Sequence, residues 1–264
     1  MHRVTHYRRT AEGIEAISLE SDRAFPRHAH DEFGIGVIVS GAHRSWSGRG
    51  QVDALAGDAI MVNPGEMHDG MPIETGTSRR WRMLYLAPAL VAGVAAEEGL
   101  DGVELAHPAV RDARLAAAFG RLHARIVASD TLPLARDEAL VTLVAGLLAR
   151  HSNRALPPAG VAPAIRVARE RLDAAPAAPV SLAELAGLSG VSRFQLLRGF
   201  ARELGITPHA YLMQSRTRLA RALLANGRPI ADAAAEAGFA DQSHLTRAFA
   251  RQFGITPGRF TQAG

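Results

Sequence analysis

Two sets of residues have the types and spacing to do chemistry. The first is His28, His30 and Glu32, with His68 further along the chain. On a strand, residues two apart share a face, so His28, His30 and Glu32 would point the same way. Imidazoles and a carboxylate so placed can hold a divalent metal, can line an effector pocket by hydrogen bonding without metal, or can form a satisfied structural cluster. Spacing alone leaves all three open. The second set is arginine at repeated positions: Arg198 and Arg202 correspond to Arg247 and Arg251. Arginine on an outward helix face binds guanine bidentately and also binds phosphate.

The elements that would carry those arginines are legible as an internal repeat. Phe200-Ala201-Arg202-Glu203-Leu204-Gly205-Ile206-Thr207-Pro208 recurs as Phe249-Ala250-Arg251-Gln252-Phe253-Gly254-Ile255-Thr256-Pro257, an offset of 49. Upstream the offset is 48, with Leu182-Ala183-Glu184 matching Ile230-Ala231-Asp232 and Gly190 matching Gly238. Each copy reads as helix, turn, helix. Ser181 with Glu184, and Ser192 with Gln195, have the spacing of a capping box. In the first copy Leu196, Phe200 and Leu204 lie on one face, and Phe194, Gln195, Arg198 and Arg202 lie opposite. In the second copy Leu245, Phe249 and Phe253 turn inward. Ser243, His244, Arg247 and Arg251 turn outward, with Gln242 at the N-terminal end. A structural repeat needs only its buried stripe, so arginine at both outward pairs predicts a helix-turn-helix presented to the major groove of double-stranded DNA. A helical repeat with solvated arginines is the alternative. Between the copies, Pro208 to Ala225 reads as one long helix. Such a spacer could set two recognition helices about one DNA turn, ~34 Å, apart.

Composition narrows the classes. The chain has 264 residues, no cysteine and no lysine; all 30 basic side chains are arginine. Disulfides, thiolate metal sites and cysteine nucleophiles are excluded, so any metal must use histidine and carboxylate. The isoelectric point near 10.4 is inflated, because almost nothing titrates between neutrality and pH 10 to offset a net charge of +4. The distribution says more. Residues 1–90 and 91–160 each carry net −1, whereas residues 161–264 hold 13 arginines against 7 acids, net +6. A basic domain on a near-neutral chain suits a polyanion partner. No run approaches the ~20 apolar residues of a membrane span. The N-terminus has no apolar signal core. Both point to a cytoplasmic protein without a membrane partner.

Residues from about 14 to 86 read as β structure. Strands are expected at Phe33–Val39, Asp58–Val62 and Trp81–Leu86, divided by turns at Ser40-Gly41, Ser47–Gly50 and Asn63-Pro64-Gly65. Short strands at this spacing predict a sandwich or small barrel. Trp46, Trp81 and Tyr85 belong to its core or line its pocket. From about 89 the pattern is helical: Leu115, Phe119, Leu122 and Ile126 mark one helix. Pro133 to Arg150, with Leu140, Val144 and Leu147, marks another. Either is a dimer seam or packs onto the β domain. His151 to Pro163 reads as an interdomain linker.

The stretch from Gly227-Arg228-Pro229-Ile230 through Gly238-Phe239-Ala240-Asp241-Gln242-Ser243-His244-Leu245-Thr246-Arg247-Ala248-Phe249 to Phe253-Gly254-Ile255-Thr256-Pro257 closely resembles the AraC/XylS family of bacterial transcription regulators. The resemblance implies base-facing roles for Phe194, Leu197 and Arg198 in the first repeat and for Gln242, Ser243 and Arg247 in the second. His28-Ala29-His30-Asp31-Glu32, and Gly57-Asp58 leading to Asn63-Pro64-Gly65-Glu66-Met67-His68, resemble the two half-motifs of cupins. The usual cupin pattern places the glutamate four or five residues after the second histidine; Glu32 is only two after.

The implied fold has two domains. An N-terminal all-β cupin-like barrel (1–88) senses an effector. A helical segment (89–155) serves linkage or dimerisation. A C-terminal all-α domain (163–264) carries the tandem helix-turn-helix motifs. The implied function is sequence-specific transcription regulation with no catalytic residues. A small-molecule effector binds at His28, His30, Glu32 and His68, and a divalent metal is an option in the same cluster. Implied partners are DNA, a second copy in a homodimer, and RNA polymerase if the protein activates. Effector binding would act through an N-terminal arm (roughly 1–13), dimer contacts or domain docking. The alternative is a metal-dependent cupin enzyme using the same four residues, with the basic domain as an accessory.

Overall fold

The computed structural model describes residues 2–7, 13–128, 132–154 and 165–262. Among these, ten strands form two antiparallel sheets. One has six strands in the order β1 (His2–Tyr7), β2 (Ile14–Ser21), β9 (Arg79–Leu86), β4 (Phe33–Ser40), β7 (Ala59–Val62), β10 (Ala109–Val110). The other has four, β3 (Phe25–His28), β8 (His68–Pro72), β5 (Ala42–Ser47), β6 (Gly50–Leu55). The three strands expected from alternation are β4, β7 and β9. Ile17, Ile38, Trp81 and Met83 of the larger sheet meet Ala54 of the smaller one in a shared core, with Leu19, Phe25 and Tyr85 packed against it. Strand periodicity explains β9: Arg79, Trp81 and Met83 are buried while Arg80 and Arg82 are exposed.

The outer face of the larger sheet is apolar too, with Ile14, Ala16, Ile35 and Leu84 at 1% exposure or less. It is covered by helix α2 (Ala113–Val127), which contacts β2 and β4. The stripe Leu115, Phe119, Leu122 and Ile126 is buried there, so it packs within the chain rather than standing free as a seam. Asp112 caps α2 and also accepts from Arg150 Nε and His151 Nε2, both at 2.9 Å. Burial raises this carboxyl, but the His151, Leu115 N–H and Arg150 bonds outweigh it and hold the group well below the usual range. Helix α1 (Pro88–Glu97) precedes α2, and α3 (Pro133–His151) follows it. In α3, Leu140, Val144 and Leu147 are all buried.

Two expectations for the chain's connections need adjustment. His151 to Arg154 do not begin a free linker: Leu105 bridges Ser152, and Glu104 N donates to Asn153 Oδ1 at 2.9 Å. Polar residues with fixed partners hold this stretch to the β domain, and the rest of the proposed linker, 155–164, lies outside the described residues. Of the supposed N-terminal arm, residues 2–7 are the edge strand β1, paired with β2 at every position. Residues 8–12 lie outside the described set.

Contacts divide the chain into two units, Met1–Asp130 with Ala139–Pro158, and Thr131–Glu138 with Ala159–Gly264. In the second unit α4 (Arg166–Ala174) precedes two helix pairs, α5 (Leu182–Ser189) with α6 (Arg193–Leu204), and α8 (Ile230–Glu236) with α9 (Gln242–Phe253). The long helix α7 (Pro208–Ala225) separates the pairs, and α10 (Pro257–Gln262) closes the unit. Ser192 and Gln195 form the reciprocal capping box at α6. Arg216 of α7 joins the two pairs. Its buried guanidinium donates to Pro176 O at 2.7 Å, ahead of α5, and to Gly238 O at 2.6 Å, between α8 and α9. Gly238 has φ +81°, and a Cβ there would stand 2.7 Å from Ala177 O, so only glycine fits this turn. Among the described residues no helix is long and apolar enough to cross a membrane.

Candidate DNA interface and sensor site

The second helix of each pair turns arginine outward. Leu196, Phe200, Leu245 and Phe249 are completely buried. On the opposite sides Arg198, Arg202, Arg247 and Arg251 are exposed. Among the described residues Arg198, Arg247 and Arg251 have no carboxylate partner, while Arg202 lies 3.7 Å from Glu203. Helix α9 also exposes Gln242 and Ser243 at its N-terminal end, where a major-groove helix reads bases. Phe194 is half-buried beneath Arg198, whose guanidinium carbon is 5.4 Å from the ring centroid.

Three of the proposed contact residues are occupied otherwise. Gln195 Oε1 accepts from Ser192 N in the capping box. Leu197 is only 8% exposed, so it offers a base little surface. His244 packs edge-on against Phe239 at 5.2 Å and is half-buried. A 100° helical wheel puts Gln195 and His244 on the outward face and Leu197 nearer the buried edge. It cannot show that a cap or a neighbouring ring already holds them.

In the β unit three of the four proposed sensor residues converge. His28 is paired across the sheet with His68, and the ring centroids of His28, His30 and His68 lie 4.4 to 4.9 Å apart. One ligand nitrogen from each lies within 4.8 Å of the others. Glu32 is not part of this cluster. The assumed continuous strand is the reason: β3 ends at His28, and His30 sits in the connection to β4, where its carbonyl accepts from Gly65 N at 2.7 Å.

Local hydrogen bonds set the ring tautomers. Pro26 O lies 2.7 Å from His28 Nδ1, and Glu66 O lies 2.9 Å from His68 Nδ1. A carbonyl only accepts, so each Nδ1 carries a proton, and in the neutral ring it is Nε2 that keeps the lone pair. Burial, aided by the neighbouring imidazoles, lowers His30 to about 4. Burial also lowers His68. Burial thus disfavours the charged form of His30 and His68, whose free ring nitrogens can take a hydrogen-bond donor or a cation.

Other polar groups in this interior were not singled out by motif. Tyr85 meets His30 edge-on with ring centroids 4.9 Å apart, and burial raises its hydroxyl to about 12. His43 accepts from Arg79 Nε at 2.9 Å; burial and the arginine charge lower it to about 4. Extending the β9 alternation back from Trp81 would have turned Arg79 inward, but His43 matches no motif.

Residues 13–144 match the family model described as an AraC-like ligand binding domain, and residues 185–263 match a helix-turn-helix domain. The class is a transcriptional regulator joining a ligand-binding domain to a DNA-binding one. The chain is 30% identical over 227 residues to an uncharacterized HTH-type transcriptional regulator, YbfI, of Bacillus subtilis (strain 168), covering 84% of this chain and 81% of that protein. The chain belongs to the AraC family of transcription regulators. Similar solved structures include a probable AraC family regulator from Rhodopseudomonas palustris CGA009, 27% identical, covering 38% of this chain and 94% of that one, with a TM-score of 0.36. Another is an AraC-type regulator from Chromobacterium violaceum, 30% identical, covering 37% and 88%, also with a TM-score of 0.36. The matched families favour the regulator reading over the cupin enzyme.

Proposed function

We propose that the protein reads double-stranded DNA with α6 and α9, each laid in a major-groove segment, and that Arg198 and Arg247 make the principal base contacts. Arg202 and Arg251 neutralise phosphates, and Phe194, Gln242 and Ser243 flank the base-reading positions. The observation that carries this reading is exposed arginine at the same outward positions of both repeats. Arg198→Ala and Arg247→Ala should each lower discrimination between specific and random duplexes by ~1–3 kcal/mol. A double variant that keeps its sequence preference in gel shifts would contradict these roles.

We further propose that the β unit senses a small molecule, with His28, His30 and His68 accepting from its donor groups. A divalent metal in the same cluster is a second reading. The Nδ1 bonds of His28 and His68 favour it, because such bonds orient imidazole ligands and raise their basicity. Tetrahedral ligand nitrogens with bonds near 2.1 Å stand roughly 3.4 Å apart, so holding an ion would draw the rings together from a spacing of up to 4.8 Å. Metal analysis of purified protein separates the readings: stoichiometric metal that is lost in His68→Ala supports the second.

Assembly as a homodimer belongs to the same proposal, as does contact with RNA polymerase if the protein activates. Light scattering coupled to size exclusion tests the dimer. Action on bacterial DNA would place the protein in the cytoplasm, and no catalytic role is proposed for any residue.

A further inference from the structure

A buried cation with no ion-pair partner among the described residues stands inside the β unit. Arg79 opens β9 and is 0% exposed. Strand alternation puts it on the face of Trp81 and Met83, toward the core shared by the two sheets. Its guanidinium carbon lies 4.8 Å from the Trp81 ring centroid and 5.7 Å from that of Phe25. Nε donates to His43 Nδ1 at 2.9 Å, and Nη1 donates to the carbonyls of Ser21 at 3.2 Å and Arg23 at 3.0 Å. All three acceptors are neutral. Nη2 is enclosed and has no hydrogen-bond partner among the described residues.

Desolvation lowers Arg79 only to about 10, so it stays charged near neutral pH. Asp22 acts on it through its charge, but no carboxylate forms an ion pair with it among the described residues. A buried charge left unpaired is expensive. The carbonyl bonds explain Nη1 as a strut to the turn after β2; they leave Nη2 and the charge unexplained. His43 is held in place by Gly70, where a Cβ would come within 2.7 Å of the ring.

We propose that Arg79 anchors an anionic effector, a small organic carboxylate. One carboxylate oxygen accepts from Nη2, and the apolar part packs against Trp81 and Phe25. The inference rests on the sensor reading above and names the chemical class of the molecule sensed. A guanidinium recognises a carboxylate through charge-assisted hydrogen bonds, and Arg79 supplies one whose Nη2 is still unbonded among the described residues. Phe25 lies on β3, an edge strand whose register shifts between Phe25 and His28, so this wall is the least firmly paired part of the sheet.

The test uses the full chain and a panel of sodium 4-hydroxybutyrate, 6-hydroxyhexanoate, 4-hydroxybenzoate and 4-hydroxyphenylacetate, whose hydroxyls supply the donor for the histidines, each against its primary amide. Binding is read by thermal shift and by tryptophan fluorescence. At least one carboxylate should bind, with its amide weaker by about 10- to 100-fold, the range expected for a hydrogen bond to a charged group. Arg79→Met should abolish this binding and Arg79→Lys should keep part of it. Circular dichroism verifies the fold of both variants. If Arg79→Met does not fold, the carboxylate-to-amide ratio of the wild-type chain decides. Equal binding of acid and amide overturns the inference while leaving a small-molecule sensor intact. Unchanged binding in a folded Arg79→Met, or no binding by any carboxylate of the panel, also overturns it.

Discussion

His43 shows what burial does to a single side chain. Its folded pKa is near 4, against 6.5 for the free group, because burial and the Arg79 charge disfavour the imidazolium. Between those values the unfolded chain binds the extra proton, so stability rises with pH. The contribution is fully present above pH 6.5 and is lost as pH falls toward 4. At its steepest one proton is worth about 1.4 kcal/mol per pH unit. His43→Asn keeps an acceptor for Arg79 and removes the titration. Urea unfolding at pH 6.5, 5.5 and 4.5 should show a shallower loss of stability in the variant. Equal slopes would mean that His43 is not held neutral. Nothing in the sequence marks this residue, because its environment is made by strands distant along the chain. Glu32 is the converse: it stands in a recognisable motif, yet the end of β3 keeps it out of the cluster.

Elements were more legible than single contacts. Helix α7 has the bounds that its start at Pro208 and end at Ala225 suggest, and the apolar stripe of α2 is buried as its period requires. Both signals are local, set by neighbours three or four residues apart. The pairing of the sheets was not legible. It depends on contacts such as Phe25 with Trp81 at 5.8 Å, which link residues far apart in the chain. Arg216 was likewise hidden in an arginine-rich helix, although it is 3% exposed and its guanidinium reaches carbonyls ahead of α5 and between α8 and α9. Arg216→Ala should therefore destabilise the C-terminal unit by ~2–4 kcal/mol, since several charge-assisted hydrogen bonds go together. Gly238→Ala should cost ~1–3 kcal/mol through the positive φ and the close carbonyl. Thermal unfolding of the full chain, followed by helical signal, measures both. A melting temperature unchanged in either variant would show that α7 does not clamp the repeats in this way.

For the whole molecule, charge is informative only when resolved along the chain. The global isoelectric point says little, but residues 161–264 carry net +6, and part of that excess recurs on the outward faces of α6 and α9. Phosphate neutralisation makes affinity fall with salt, with a slope of about 0.9 per phosphate contacted. Arg202→Ala and Arg251→Ala should each reduce that slope by about one without changing the preferred sequence. The measurement that bears most directly on DNA reading is selection of binding sites from a random duplex library. The unsubstituted chain, Arg198→Ala and Arg247→Ala are compared. The wild-type chain should enrich a motif of two patches about one helical turn apart. Arg198→Ala should erase preference in one patch and Arg247→Ala in the other. Enrichment of no motif, or of the same intact motif by all three proteins, would contradict a regulator that reads DNA with both repeated helices.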